Sequence, residues 1–223
     1  MRIEVFYILG IKKAQRRRSN IQNLVLCKMI KKLKHKQQQQ QEYLKHMQDL
    51  KNLATESTLV QFIESSCDLY SSFTIEFYRI IGGILHAIGF QNVSVNREGD
   101  TNNRIDAVII DNRRSIPIEI KSPRETEYIN IKSVRQALEN KIILLSRRFY
   151  PSEKDVTSLV VGFSYPNDRS GVFELIDDIW RAYSINIGAI DFKDLLKLYY
   201  GKVILEEQLD LELIIHLNGK YND

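Results

Sequence analysis

Apolar and polar positions alternate most sharply in the middle of the chain. Residues 105–110 (Ile-Asp-Ala-Val-Ile-Ile) and 116–120 (Ile-Pro-Ile-Glu-Ile) form two β-branched runs with a short polar stretch between them, the pattern of paired strands. Upstream the period changes. Over 73–88, Phe73, Phe77, Ile80, Ile81, Ile84, Leu85 and Ile88 share one broad face that stops at Gly89, which predicts a helix; a strand near Val93 and a polar loop over 96–103 follow. Pro123 closes the second run by restricting Ser122 and removing a backbone donor. Beyond it the pattern predicts a helix over 131–149 with Arg135, Lys141, Arg147 and Arg148 at its polar positions. A buried central strand over 158–165, a helix over 172–183 and a strand over 185–190 come next, then a helix to Tyr200 with Asp191 as N-cap. At the other end, 57–66 predict a short helix. One or two long helices over 16–53 carry partial periodicity (Ile21, Leu24, Val25, Leu33, Tyr43, Leu44, Met47, Leu50), interrupted by the tract Gln37 to Gln41, which forms helix well yet offers nothing to bury. The order is that of an α/β or α+β domain, a mixed sheet flanked by helices.

Size allows one ordinary core with an appended segment: 223 residues, 43% hydrophobic and 27% charged. Charge then separates the two parts. The net +4 conceals thirteen Lys and Arg against three acids in residues 1–52, a balance of +10, and nineteen against twenty-five in the remainder, a balance of −6. A basic helical arm over 1–53 that meets phosphates, joined to a domain over 54–223 that holds the chemistry, is the expected organisation. A charge run that only solvates a helix is the plainer alternative for Lys12 to Lys36. Cys27 and Cys67 stand far apart, and His35, His46, His86 and His216 follow no zinc spacing, so neither a disulfide framework nor a zinc site is expected. The apolar opening from Ile3 to Ile11 is too short to span a bilayer, and basic residues follow it rather than a cleavage site; a cytoplasmic, reducing setting is the expectation.

The paired runs carry the candidate chemistry. In an extended strand alternate side chains share a face, so Glu119 and Lys121 point one way while Ile118 and Ile120 point the other. If the runs pair as a hairpin, Asp106 lies beside them. Two carboxylates and an ammonium at a sheet end are costly to desolvate without a cation. The tripeptide alone is weak, because Asp49-Leu-Lys51, Glu139-Asn-Lys141 and Asp191-Phe-Lys193 match it too; those three fall in helical patterns, where residues two apart do not face each other. Magnesium suits such oxygen donors: Asp106 and Glu119 through carboxylates, Ile120 through its backbone carbonyl. Lys121 would orient or deprotonate the attacking water of a phosphodiester hydrolysis and offset negative charge. Glu76 offers a further acid, or faces solvent on its helix. Gln136 reaches toward substrate, or is an exposed helix glutamine. Asp106 and Lys121 as a simple cross-strand pair, worth about 0.2–1 kcal/mol, is the bland reading. Asp111 is expected in the turn with Asn112. Asn92-Val-Ser94 is a glycosylation sequon without meaning inside a cell. Gly82, Gly83 and Gly89 lack the strand-turn-helix setting of a nucleotide site, so no nucleotide cofactor follows.

These residues resemble the PD-(D/E)-x-K nuclease superfamily, and the order helix, Asp strand, Glu-x-Lys strand, helix, apolar strand over about residues 70–200 is similar to type IIS restriction endonuclease cleavage domains of the FokI kind. By position Asp106 takes the first acid, Glu119 the second, Lys121 the lysine, and Glu76 the acid on the preceding helix. Ile105 stands where the motif's proline would. The resemblance implies a restriction-endonuclease-like fold and a magnesium-dependent endonuclease acting on double-stranded DNA. It also implies a homodimer, or a heterodimer with a recognition or second cleavage subunit; the helix over 131–149 is the expected contact, unless that face packs inside the domain. A repair, resolvase or transposon-type nuclease on the same site, and a non-catalytic nucleic-acid-binding module working through the basic arm, are the alternatives.

Overall fold

The computed structural model of the chain describes residues 28–29, 31–72, 74–96, 105–111, 114–147 and 151–222. The chain divides into two units, residues 1–48 and 49–223. Residues 31–51 form one helix (α1) that runs unbroken through the glutamine tract, since glutamine costs a helix little even where it buries nothing.

The second unit is a mixed α/β domain. Two helices, α2 (Glu56–Ser72) and α3 (Thr74–Ala87), precede the hairpin strands β1 (Asn92–Val95), β2 (Ala107–Asp111) and β3 (Arg114–Lys121). Then α4 (Ile131–Leu145), β4 (Ser158–Gly162), α5 (Val172–Tyr183), β5 (Ile187–Asp191), α6 (Phe192–Tyr199), α7 (Glu212–Ile215) and β6 (Gly219–Lys220) follow. Phe73, the loop residues 97–104, Asn112 and residues 148–150 lie outside the described residues. Asp111, expected in a turn, ends β2 and pairs with Arg114.

The six strands lie in sequence order, β1-β2-β3 antiparallel and β3-β4-β5-β6 parallel. That change of direction follows from the connections: few residues separate β2 from β3, while α4 and α5 supply the crossovers that parallel neighbours need. Every residue of β4 and β5 is buried, as expected of parallel strands covered on both faces. On one face Val134 and Ala137 of α4 and Ile176 and Ile179 of α5 pack against Val160 and Ala189. The apolar face of α4 is therefore spent inside the domain. On the other side the rings of Tyr70, Phe77, Phe163 and Phe192 join α2, α3 and α6 to the end of β4, with centroids 5.3–6.3 Å apart.

Lys141 departs from its expected polar position. Its residue is 0% exposed, and its ammonium donates to Ser152 Oγ at 2.6 Å, which in turn donates to the Ser115 carbonyl. Helical periodicity places it on a face; only the loop that returns over the start of β3 closes that face off. No helix among the described residues is long and apolar enough to cross a membrane.

Candidate functional site

The site forms where β2 and β3 part. The ladder ends at Ala107 opposite Ile118, yet β3 continues to Lys121, so the Ile120 N–H has no β2 backbone partner. Asp106 supplies one instead: its Oδ2 accepts that N–H at 2.9 Å. Extending the register by a residue sets Asp106 opposite Glu119, on the same face. Glu119 Oε1 lies 2.7 Å from Lys121 Nζ, and Glu119 Oε2 accepts from Asn140 Nδ2 of α4 at 3.0 Å. The three residues singled out from the strand pattern thus come together at the carboxyl end of β3. The ammonium of Lys121 goes to Glu119 rather than across the strands to Asp106.

Charge here is crowded and dry. Glu119 is 2% exposed. Burial first, then the Glu119 carboxylate, push the Asp106 carboxyl up to about 7, against the Ile120 N–H and the Lys121 ammonium that pull it down. Burial likewise pushes Glu119 up against the pull of Lys121 and Asn140. Lys121 stands above the ordinary lysine value: burial lowers it, and the hydrogen bond and charge of Glu119 more than reverse that.

Two further residues complete the surroundings, and neither was singled out from the sequence. The hydroxyl of Tyr78 on α3 lies 3.0 Å from the Ile120 carbonyl oxygen and 3.2 Å from Glu125 Oε2 and shares its single proton between them. The same Glu125 oxygen accepts from the N–H and the hydroxyl of Ser122, each at 3.0 Å. Burial, then Asp106, Glu125 and Glu119, hold the Tyr78 phenol well above its usual range, so the hydroxyl remains a donor. Glu125 also acts electrostatically on Asp106, Glu119 and Lys121. Its place was marked by the Ser-x-x-Glu spacing of residues 122–125, which favours a side-chain-closed turn. Tyr78 carried no signal, because an aromatic residue on an apolar helix reads as core.

Glu76 makes no hydrogen bond or ion pair to the trio among the described residues. It pairs with Arg79 at 3.9 Å, and helical geometry turns it about 200° away from Tyr78, the α3 side chain that reaches β3. Gln136 lies one turn before Asn140 on the same face of α4, and its Oε1 is buried with no hydrogen-bond partner.

A hard divalent cation matches this donor set chemically. Asp106 and Glu119 present carboxylate oxygens, the Ile120 carbonyl belongs to the same residue whose N–H Asp106 accepts, and three carboxylates counting Glu125 act on a single ammonium. Among the described residues no three His, Cys, Asp or Glu side chains gather as a ready-made metal cage. A cation here would rest on two carboxylates, a carbonyl and water, the coordination magnesium commonly takes. No family model, curated protein or solved structure matches the chain.

Proposed function

We propose that the chain is a magnesium-dependent endonuclease that hydrolyses phosphodiester bonds in double-stranded DNA, on a restriction-endonuclease-like fold. The observation that carries this reading is the position of Asp106, which replaces the missing ladder partner of Ile120 and so stands against the Glu119–Lys121 pair. Asp106, Glu119 and the Ile120 carbonyl would hold the ion. When bound, magnesium would supply charge neutralisation at the phosphoryl group and acidify an attacking water. The remaining work falls to the protein. Lys121, kept protonated by Glu119, acts as a fixed cation beside the phosphoryl oxygens rather than as a base. Asn140 fixes the Glu119 carboxylate, and Tyr78 with Ser122 fixes Glu125 beside it. Glu76, paired with Arg79, is left with at most an outer part.

The test is cleavage of supercoiled plasmid with and without magnesium. Asp106→Ala and Lys121→Ala are each expected to lower the rate at least a hundredfold while circular dichroism stays unchanged. Persistent magnesium-dependent cleavage by both variants would reject the assignment. Branched and single-stranded substrates separate a restriction-like enzyme from a repair, resolvase or transposon-type one. The +10 balance of residues 1–52 favours one rival, a non-catalytic nucleic-acid-binding module. On that reading magnesium leaves the thermal midpoint untouched, whereas a cation binding only the folded site raises it.

A further inference from the structure

A second cluster lies along the same rim of the sheet, two strands from the trio. The register runs Lys121–Gly162–Asp191 across β3, β4 and β5, so the ends of β3 and β5 stand roughly 10 Å apart at ordinary strand spacing. Beyond the end of β5 a cavity of about 420 Å³ is lined by Tyr165, Lys193, Asp194, Lys197 and Lys220, with Asp191 at its base. Its acids are turned inward: Asp191 is 8% exposed and caps α6 by accepting the Asp194 N–H at 2.8 Å, and Asp194 holds Lys197 at 2.9 Å. Its lysines are exposed. Lys220 lies over the Tyr165 ring, 4.4 Å from the centroid, and neither it nor Lys193 enters an ion pair among the described residues. Between trio and cavity stands Tyr128, 48% exposed and bridged to Ser164 just past β4, with Glu127 the nearest acid acting on its hydroxyl. Exposed ammoniums beyond β5 and an exposed ring beside the trio supply the two features that hold a single strand, cations for its phosphates and a π-face for a base.

We propose that this rim is the binding track for one nucleic-acid strand, with Tyr128 stacking a base beside the trio and Lys193 and Lys220 holding a phosphate farther along. The proposal rests on the nuclease reading for its substrate class, but its test does not. The full-length protein is titrated with a fluorescently labelled single-stranded oligonucleotide in EDTA, where nothing is cleaved, at several salt concentrations. The double variant Lys193→Ala/Lys220→Ala is expected to bind about tenfold more weakly and to lower the salt slope by about 0.7, the value for one phosphate of a single strand that the lysines no longer neutralise. Lys193→Gln/Lys220→Gln, milder in the β6 strand, should do the same. Tyr128→Ala should cost about tenfold with an unchanged slope, since stacking releases no counterions. Exposed Lys132 on α4 is the control, and Lys132→Ala should match the wild type. Wild-type affinity and slope in both lysine variants would overturn the track. So would inorganic phosphate protecting the lysines from acetylation where the oligonucleotide does not, since the cavity would then take free phosphate. A track that fails while plasmid cleavage still needs Asp106 leaves the nuclease reading standing, and the reverse result leaves the track standing.

Discussion

At the scale of single residues, the burial of ionisable groups sets what can be measured. The folded chain holds the Asp106 proton up to about pH 7, while a free aspartate releases it near 3.8. Between those values the folded state binds more protons than the unfolded state, so this group's contribution to stability falls as pH rises through the window. Asp106→Asn removes that penalty. In metal-free buffer at pH 8 its melting temperature is expected above that of the wild type, with the difference closing as pH falls to about 4; magnesium should raise the wild type and leave the variant unmoved. Lys141 is the mirror case at the far end of β3. Burial lowers its pKa to about 8 from 10.5, so the unfolded chain takes a proton that the folded chain refuses, and stability rises with pH between those values. Lys141→Met, similar in volume and uncharged, should stabilise the protein at pH 7 by up to ~3 kcal/mol and abolish the gain between pH 8 and 10.5. Thermal melts across pH check both.

Elements followed local pattern closely in kind and less closely in extent. The helix expected over 57–66 runs to Ser72, because Ser65, Ser66 and Ser71 turn their hydroxyls back onto carbonyls of the preceding turn instead of breaking it. The central strand expected to Tyr165 stops at Gly162, since Phe163 leaves the ladder for the aromatic cluster and Ser164 bridges to Tyr128. Gly162 itself is dictated by packing. A Cβ there would lie 2.5 Å from Ile129 Cγ1, and Ile129, 1% exposed, has no room to retreat. Gly162→Ala is expected to cost about 1–3 kcal/mol in a denaturant titration. The Asn130 side chain and the Ser133 hydroxyl cap the start of α4 reciprocally, holding the helix that delivers Asn140 to Glu119. Two-residue β6 left no readable pattern: it exists because Gly219 and Lys220 fall beside β5.

For the molecule as a whole, the proposed reaction requires two sites for a double-strand break, and each chain carries one trio. Nicking of plasmid is expected to rise linearly with protein concentration and linearisation more steeply than linearly, as kinetics over a tenfold range would show. A strictly linear dependence of both would point to a monomer that cuts one strand at a time. Much of the trio was legible beforehand, because strand alternation is a local property: Glu119 and Lys121 share a face in any extended chain, with Ile118 and Ile120 opposite. The apolar faces of α3 and α4 were legible for the same reason. What the order of residues could not convey was where β2 lets go of β3, and that parting makes Asp106 a stand-in for a backbone carbonyl. Nor could it bring the Tyr78 hydroxyl onto the carboxylate of Glu125, 47 positions away, or close a loop over Lys141. Periodicity acts within a few residues along the chain, whereas burial and hydrogen-bond partners depend on which distant segments fold against one another.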